Sequence, residues 1–279
     1  MGKTTERCAA QGIEMQALLL DLDGVFYVGG EKVPGADATL GWLTEARVPH
    51  LFVTNTTSRP RTALVRKLQG FGIGVSAGEI LTPAVAAVGW LRQQGLRRLA
   101  AYVPNATLEE FKDFDLIERT GREPVDAVVV GDLGEAWDFP TLNCAFNQLM
   151  QEPQPQLVAL GMTRFWRAGD GLRLDTAPFV VALSHASGVA PTVLGKPATA
   201  FFESAVELLG APPAQTVMVG DDLDADVRGA QAAGLRGVLV RTGKYRTDET
   251  AEVRPDAVLD SIAELPAWWK SRPAGPTAR

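Results

Sequence analysis

Two aspartates lie two residues apart near the start of the chain, directly after an apolar run. Residues 17–20 are apolar, and Asp21-Leu22-Asp23-Gly24 follows them. A strand that crosses a core has no structural need for two acids where it ends. A site that forms an acyl phosphate on one carboxylate and moves a proton with the other needs both. The alternative interpretation is that Asp-Gly is a turn dipeptide.

A second group of acids follows the strand-like segment 216–219. Asp221, Asp222, Asp224 and Asp226 lie within six residues. Helix capping explains one or two of them. The excess fits Mg²⁺, which takes oxygen ligands from one or two carboxylates. The similar segment that ends at Asp132 has Trp137 where Asp226 would be, so we place Asp132 outside the site.

Two polar segments complete the set of candidate site residues. Thr54 and Asn55 open a run of small polar side chains after the strand-like segment 50–53. Such side chains and free backbone N–H groups can hold a phosphate, although a capped loop is the alternative. Pro197 suits the first turn of a helix, which puts Lys196 at the positive end of a helix dipole. That placement costs about 0.3–1 kcal/mol unless a negative group is nearby.

The charges of these segments balance only around a metal and a phosphate. If Asp21, Asp23, Asp221 and Asp226 share one pocket, each pair at ~4 Å repels by about 4 kcal/mol for an effective dielectric of 20. Lys196 and a divalent cation offset most of that repulsion, and a phosphate dianion completes the balance. Ligands bind outside the carboxyl ends of strands in open α/β sheets. We therefore predict one metal-dependent phosphate site.

Composition limits the class of protein. The chain has 279 residues, 46% of them hydrophobic and 22% charged, which is typical of a soluble globular protein with one large or two ordinary domains. A formal net charge of −6 gives no basic surface for nucleic acid. No apolar run approaches the ~20 residues that span a bilayer. We expect neither a nucleic-acid nor a membrane partner.

Cysteine and histidine content narrows the chemistry and the compartment. Cys8 and Cys144 cannot form a disulfide framework and indicate a reducing cytoplasm. The polar first 16 residues lack the apolar segment of a secretory signal. His50 and His185 are the only histidines, which argues against a histidine-rich metal site or a Ser-His-Asp triad.

Apolar segments alternate with helical patterns, which predicts an α/β fold with a largely parallel sheet. Strands are predicted at 17–22, 50–53, 99–103, 125–130, 157–160, 192–194, 216–219 and 237–240. Helices are predicted at 61–71, 83–94, 139–150, 177–186, 198–209 and 222–233. Because the acids cluster early and late, we expect a core built from both ends of the chain. The predicted divisions are core 16–81, an inserted domain 82–188 and core 189–270, with 1–15 and 271–279 disordered.

These segments, in this order, resemble the haloacid dehalogenase (HAD) superfamily of phosphohydrolases over about residues 17–250. The insertion between Asn55 and Lys196 resembles the α/β cap of the NagD-like branch. The resemblance implies a HAD-like Rossmannoid core with a mostly parallel sheet and an inserted α/β cap. Four segments look most like the phospholysine phosphohistidine inorganic pyrophosphate phosphatase subgroup: Arg164-Phe165-Trp166, Val193-Leu194-Gly195-Lys196-Pro197, Val217-Met218-Val219-Gly220-Asp221-Asp222 and Arg241-Thr242-Gly243-Lys244-Tyr245.

The resemblance also implies roles for the site residues. Asp21 would be the nucleophile that forms an aspartyl phosphate, and Asp23 would be the general acid and base. Mg²⁺ would be held by the Asp21 carboxylate, the Asp23 backbone carbonyl and Asp221. Asp226 would support these ligands without binding the metal itself. The residues that would grip the phosphoryl oxygens are Thr54, Asn55 and Lys196.

A Mg²⁺-dependent phosphohydrolase of this kind acts on a small phosphorylated substrate under a cap. We expect the cap to select the leaving group around Arg164, Phe165 and Trp166, although ordinary cap packing explains the two aromatic residues as well. Members with this type of cap commonly pair through it, so a homodimer is expected. One residue departs from the subgroup, in which the second acid of the first motif is often serine; here it is Asp23.

Other functions remain open at this point. A phosphate-binding regulatory protein such as a receiver domain needs only roughly 120 residues, and its acid pair precedes the phosphorylated aspartate on a separate strand. A dehalogenase on the same fold would use Asp21 against carbon and needs no metal, which leaves Asp221 and Asp226 unexplained. A phosphosugar mutase would differ in whether phosphate is released. Of these functions, hydrolysis explains the largest number of the candidate site residues.

Overall fold

A computed structural model of the chain describes residues 16–169, 171–245 and 253–271. The predicted disorder of residues 1–15 and 272–279 lies outside the described residues, as does Cys8. Disorder was wrongly predicted for Ser271, because this residue ends the last helix and its hydroxyl donates a hydrogen bond of 2.9 Å to the carbonyl of Trp268.

The described residues form parallel and antiparallel strands joined by helices. The strands are β1 (Ala17–Asp21), β2 (Tyr27–Val28), β3 (Glu31–Lys32), β4 (His50–Val53), β5 (Ile80–Leu81), β6 (Arg98–Tyr102), β7 (Asp115–Leu116), β8 (Ala127–Val130), β9 (Gln156–Ala159), β10 (Phe165–Ala168), β11 (Gly171–Leu174), β12 (Pro191–Val193), β13 (Thr216–Gly220), β14 (Arg236–Val240) and β15 (Ala257–Leu259). The α-helices are α1 (Ala36–Glu45), α2 (Arg61–Gly70), α3 (Pro83–Gln93), α4 (Phe139–Leu149), α5 (Thr176–Ser187), α6 (Thr199–Leu209), α7 (Gly229–Ala232) and α8 (Leu265–Ser271). A π-helix at Leu223–Arg228 and several 3₁₀ turns complete the structure.

The first sheet has the strand order β15-β14-β13-β1-β4-β5, and all of its pairs are parallel. Strand β1 lies in the middle of this sheet. Its residues Leu18, Leu19 and Leu20 are completely buried, because helices cover both faces of a parallel sheet and leave no face for polar side chains. The predicted mostly parallel α/β fold is confirmed.

The second sheet has the order β12-β9-β8-β6-β7 and is also parallel. It is built from the chain between β5 and α6, so it is an insertion into the first sheet's domain. The prediction that residues 189 onward belong to the core was wrong for β12. Pro191 pairs with Leu157 and Val193 with Ala159 of β9. Strand β12 pairs with the edge of β9 that is otherwise free. A three-residue apolar segment is too short to indicate, from sequence, which sheet it joins.

Side chains from the two sheets share one hydrophobic core. Leu19 and Val53 of the first sheet belong to the same buried cluster as Val129 and Val158 of the second. Buried residues of α3 and α6 belong to the same cluster, Phe201 among them. The second sheet therefore packs directly against the domain into which it is inserted.

Helix ends are fixed by short-range side-chain bonds that sequence reasoning can anticipate. Thr82 caps α3, because its hydroxyl accepts the N–H of Val85 at 3.3 Å. Asp138 caps α4 by accepting the N–H of Thr141 at 2.8 Å. Helix α5 is followed by Gly188, whose φ of 76° lies in the left-handed region that commonly ends a helix.

The structure contains several elements that the sequence patterns did not predict. Helices α1 and α8, both small hairpins (β2–β3 and β10–β11) and the short strands β5, β7 and β15 were missed. The predicted helix 222–233 is divided, since the π-helix Leu223–Arg228 precedes the short α7. In the part of the chain that the structure describes, no helix combines the length and apolar character needed to cross a bilayer.

Candidate active site

Three adjacent strands of the first sheet bring polar residues to one edge. Asp21 is the last residue of β1, Thr54 follows β4, and Asp221 follows β13. The register pairs Asp21 with Val53, next to Thr54. Because β13, β1 and β4 are neighbouring parallel strands, their carboxyl ends lie side by side.

Lys196 reaches this edge from the second sheet. It lies three residues after β12, and its ammonium donates hydrogen bonds of 2.6 Å to Asp21 Oδ1 and to Asp226 Oδ1. The prediction of Pro197 in a first helical turn was wrong, because α6 begins at Thr199. The negative group that the buried lysine requires is supplied by the two carboxylates rather than only by a ligand.

Asp226 lies in the π-helix and points back at the end of β13. Its Oδ2 accepts the N–H of Asp222 at 3.1 Å, so both carboxylate oxygens are engaged. Asp222 in turn accepts the N–H groups of Asp224 and Ala225 at 3.1 and 2.9 Å. Close packing makes Gly220 necessary, because a Cβ at that position would lie 2.1 Å from Asp226 Oδ2.

Asp221 is held by backbone groups on one side and is unpartnered on the other. Its Oδ2 accepts the N–H of Lys244 at 2.7 Å, whereas its buried Oδ1 has no hydrogen-bond partner. Gly24 and Gly243 close around this carboxylate with φ values of 88° and 69°. A Cβ on Gly24 would lie 2.0 Å from Asp221 Oδ2, and one on Gly243 would lie 2.1 Å from the same atom.

Burial dominates the electrostatics of the acids. It raises the pKa of Asp221 and of Asp226 to about 6, and it raises the pKa of Asp21 against the opposing effect of Lys196. Burial lowers the pKa of Lys196, but the charges of Asp21 and Asp226 outweigh this effect, so that the pKa of the ammonium is raised overall. The lysine is therefore charged at neutral pH, and the acid cluster lacks enough positive charge.

A divalent cation fits this cluster. One carboxylate oxygen from each of Asp21, Asp221 and Asp226 lies within 4.8 Å of the others. The orphaned Oδ1 of Asp221 is a buried acceptor that a cation would satisfy. Oxygen donors of this kind suit a hard cation such as Mg²⁺. Since Asp226 already binds Lys196 and Asp222, the open ligand positions are on Asp21 and Asp221.

Asn55 has a role that the sequence did not indicate. Its Oδ1 accepts the backbone N–H of Lys196 at 2.8 Å, and its Nδ2 donates to the Lys196 carbonyl at 2.9 Å. This pair of bonds fixes the main chain of Lys196 against the segment after β4. Thr54 is buried beside it and exchanges hydrogen bonds with Thr56, whose N–H donates to Thr54 Oγ1 at 3.2 Å.

Asp23 differs from the other acids because it is exposed. It lies two residues after Asp21, in a tight turn in which the N–H of Gly24 donates to the carbonyl of Tyr27 at 2.7 Å. The hydroxyl of Thr242 donates a short hydrogen bond to the Gly24 carbonyl. These backbone contacts place Asp23 at the solvent side of the buried cluster.

The predicted cap residues lie on the β10–β11 hairpin of the inserted domain. Phe165 and Trp166 are 49% and 43% exposed. Arg164 is also exposed, and its guanidinium lies 5.8 Å from the centre of the Phe165 ring. A role of these side chains in leaving-group selection stays a prediction. Asp132 lies at the boundary between the two domains, where its N–H donates to Thr57 Oγ1 at 3.1 Å.

Sequence reasoning missed Thr57, Gly24 and the backbone N–H of Lys244. Gly24 and Gly243 belong to short motifs that were recognised in the sequence. Their lack of a side chain was the signal that could have indicated close packing around an acid. Thr57 gave no signal of its own, because a threonine in a polar segment has many uses.

Comparisons with known proteins find relatives along most of the chain. A family model described as haloacid dehalogenase-like hydrolase matches residues 18–117, and another, described as HAD-hydrolase-like, matches residues 193–265. The human phospholysine phosphohistidine inorganic pyrophosphate phosphatase is 36% identical over 256 residues, which cover 90% of this chain and 92% of the relative. The bovine haloacid dehalogenase-like hydrolase domain-containing protein 2 is 37% identical, with coverage of 88% and 91%.

Solved structures show the same architecture. The 4-nitrophenylphosphatase of Thermotoga maritima superposes with a TM-score of 0.81 at 26% identity and covers 91% of this chain and 97% of its own. NagD of Escherichia coli K-12 has a TM-score of 0.81 at 23% identity, with coverage of 90% and 98%, and this likeness concerns the fold.

Proposed function

This chain belongs to the haloacid dehalogenase-like hydrolases and is a phosphatase of that family, and we propose that it hydrolyses small phosphorylated substrates with Mg²⁺ through phosphoryl transfer to Asp21. The observation that carries the proposal is the buried contact of Lys196 with Asp21 and Asp226 at 2.6 Å. Beside it lies the unpartnered Oδ1 of Asp221. One buried ammonium among three buried carboxylates is a charge arrangement suited to a metal and a phosphate.

Asp21 is the nucleophile in this proposal. Its carboxylate attacks phosphorus in line, a bond forms between an Asp21 oxygen and phosphorus, and the bond from phosphorus to the leaving oxygen or nitrogen breaks. Water then attacks the aspartyl phosphate, which releases phosphate and restores the carboxylate. The Lys196 bond to Oδ1 orients this carboxylate and leaves the other oxygen for attack.

Asp23 is the group that moves the proton. It is exposed beside the cluster and lies two residues from Asp21, so a leaving group can approach it from solvent. It protonates the leaving atom in the first half-reaction and removes a proton from water in the second. Positioned acid–base catalysis of this kind contributes about 10²–10⁴-fold.

Lys196, Thr54 and Asn55 would hold the phosphoryl oxygens. The ammonium supplies positive charge where negative charge develops. The double hydrogen bond of Asn55 to the Lys196 main chain keeps that charge in place. Thr54 is buried directly after β4, and its neighbour Val53 pairs with Asp21 in the register of the sheet.

The residues that would hold Mg²⁺ are the Asp21 and Asp221 carboxylates and the backbone carbonyl of Asp23. The metal would neutralise charge on the phosphoryl oxygens and on the attacking carboxylate. Asp226 would support this set through its bond to Lys196. The glycines around Asp221 give that carboxylate one fixed orientation.

The candidate substrates are phosphomonoesters, phosphoamides and pyrophosphate. The human relative at 36% identity is named for phospholysine, phosphohistidine and inorganic pyrophosphate, and the Thermotoga maritima structure is of a 4-nitrophenylphosphatase. Asp23 distinguishes this chain from the subgroup that its sequence resembles, because it retains a full acid–base pair. An acid beside the nucleophile assists esters and phosphoamides, whose leaving oxygen or nitrogen needs a proton.

A homodimer formed through the inserted domain is part of the proposal. Phe165 pairs with Leu174 across the β10–β11 hairpin, and Leu172 lies on the same face. All three are exposed, Leu172 by 60% and Leu174 by 61%. An apolar hairpin of this kind suits burial against a second copy. A cytoplasmic location is also proposed, supported by the free thiol of Cys144.

The test is phosphate release from p-nitrophenyl phosphate as Mg²⁺ is varied. The proposal predicts activity that rises with Mg²⁺ and disappears in excess EDTA. Full activity in EDTA would contradict the metal assignment. A panel that includes pyrophosphate, phosphohistidine and sugar phosphates then identifies the leaving group, and release of free phosphate separates a hydrolase from a mutase.

A further inference from the structure

One peptide group of the inserted domain is hydrogen-bonded on both sides at the boundary with the first domain. The peptide joins Gly131 to Asp132, directly after β8. Its N–H donates to Thr57 Oγ1 at 3.1 Å, and its carbonyl accepts the indole N–H of Trp137 at 3.3 Å. A backbone unit with both groups fixed has little freedom to move.

Thr57 belongs to the segment after β4 that contains Thr54 and Asn55, and it is buried. It also receives a second bond from the inserted domain, because Thr107 Oγ1 donates to the Thr57 carbonyl at 3.4 Å. Thr57 therefore contacts two separate loops of the inserted domain, while it lies three residues from Thr54.

The surroundings of the peptide leave little room for a side chain at Gly131. A Cβ on Gly131 would lie 3.0 Å from Val103, 3.1 Å from Leu160 and 3.6 Å from the Cβ of Thr57. The residues that follow β6, β8 and β9 thus pack closely around Gly131, and Thr57 lies beside it. A glycine at this point lets the backbone approach the threonine closely.

The side chain of Trp137 is also fixed by its neighbours. Its ring stacks between Tyr102 and Phe179, with ring centroids 5.5 and 4.8 Å away. The indole N–H is thereby directed at the carbonyl of Gly131. Trp137 occupies the position where the similar segment near the carboxyl end of the chain has Asp226, so an acid of the catalytic pocket is replaced by a hydrogen-bond donor.

We propose that Thr57 is a positioning residue that docks the inserted domain onto the phosphate-binding segment, with Trp137 as its counterpart in that domain. The hydrogen bond to the Asp132 N–H fixes the distance between the reacting phosphoryl group and the surface that meets the leaving group. The kinetic consequence rests on the proposed function, whereas the docking itself does not.

The part of the segment after β4 that would bind phosphate has its own anchor. Asn55 is tied to Lys196 by two hydrogen bonds, and these do not involve Thr57. Loss of the Thr57 hydroxyl should therefore loosen the contact between the Asp132 loop and the segment after β4, while the Asn55 bonds keep Lys196 in place. This separation gives the proposal a signature that a general loss of stability does not produce.

The test compares Thr57→Val, which keeps the shape but removes the acceptor, with Thr57→Ser, which keeps the hydroxyl. Thr39→Val is the matched control, because Thr39 is also buried and its hydroxyl donates to the carbonyl of Ile262, away from the inserted domain. Trp137→Phe is a second variant that retains the aromatic stack and removes the indole N–H.

Hydrogen exchange at the Asp132 amide is the direct readout. In Thr57→Val and Trp137→Phe we expect exchange about 10-fold faster than in the wild type, since each removes one bond from a buried peptide. Thr57→Ser and Thr39→Val should leave this amide protected. Unchanged exchange at Asp132 in both Thr57→Val and Trp137→Phe would overturn the docking.

The kinetic readout uses p-nitrophenyl phosphate as substrate and inorganic phosphate as inhibitor. For Thr57→Val we expect KM to rise about 10-fold, with the inhibition constant of phosphate unchanged and recovery in Thr57→Ser. If the phosphate inhibition constant rises together with KM, Thr57 acts on the phosphate groups and the docking role is wrong. A wild-type protein without phosphatase activity would contradict the proposed function, and the exchange experiment would still decide the docking.

Discussion

The ammonium of Lys196 lies 2.6 Å from Oδ1 of Asp21, although the two residues stand at or near the ends of strands from different sheets. Asp21 ends the central strand of the first sheet, whereas Lys196 follows the edge strand of the second. The site therefore forms only when the inserted domain has paired its last strand, β12. Folding of the inserted sheet and assembly of the catalytic charge are linked through this contact.

Replacement of Lys196 by Met should damage both activity and the metal-free fold. Two buried carboxylates lose their shared cation, and breaking a buried ion pair costs about 3–5 kcal/mol. We expect a fall in kcat of about 10²–10³-fold and a lower urea midpoint in EDTA. Lys32→Met is the control, because Lys32 pairs with Asp37 at the surface, where such pairs contribute about 0–1 kcal/mol. Equal effects of the two variants would contradict this role of Lys196.

Replacement of Asp23 by Asn or Ser should slow catalysis without loss of binding. The exposed carboxylate is proposed to move the proton, so we expect kcat to fall about 10²–10⁴-fold with Mg²⁺ affinity and phosphate inhibition retained. The serine variant restores the residue often found in the subgroup that the sequence resembles. Rates equal to those of the wild type for an ester substrate would show that another group moves the proton.

Gly24→Ala should abolish the site for steric reasons. Its φ of 88° disfavours a side chain, and the new Cβ would lie 2.0 Å from Asp221 Oδ2. Gly29→Ala is a matched control, because Gly29 has a φ of 59° but no atom within 4 Å of the position that a Cβ would occupy. We expect Mg²⁺-dependent activity to be lost in the first variant and retained in the second. Similar activity in both variants would contradict the close packing around Asp221.

The stability of the metal-free protein should depend on pH through Asp221. Burial raises the pKa of this carboxyl to about 6 in the folded protein, against about 3.9 in an unfolded chain. The folded state therefore binds the proton more tightly, so this group's contribution to stability is present below about pH 4 and is lost as pH rises to about 6. A variant without the Asp221 carboxyl group should therefore not lose this stability as the pH rises.

Thermal unfolding of wild type and Asp221→Asn in EDTA isolates this contribution. We expect the variant to be the more stable protein at pH 7, with the difference vanishing near pH 4. Added Mg²⁺ should stabilise the wild type at pH 7 and leave the variant unchanged, because metal binding requires the carboxylate. A variant that is less stable than wild type at pH 7 in EDTA would contradict the sign of this effect.

The sequence was sufficient to predict the parallel α/β architecture and the proximity of Asp21, Lys196, Asp221 and Asp226. Asp21 ends an apolar strand, Asp221 and Thr54 directly follow apolar strands, and strand ends of a parallel sheet share one edge. The sheet to which β12 belongs could not be predicted, because Pro191–Val193 is too short for a pattern. The Asn55–Lys196 bonds and the Thr57 contact depend on the packing of one domain against the other, which no local pattern encodes.

The most direct test of the proposed mechanism is to trap the phosphorylated enzyme. Protein quenched in acid during turnover of p-nitrophenyl phosphate with Mg²⁺ would be digested and mapped by mass spectrometry. We expect one phosphoryl group on Asp21, absent in EDTA, and no label or turnover in Asp21→Asn. A phosphoryl group on a different residue, or an Asp21→Asn protein that still turns over, would contradict the mechanism.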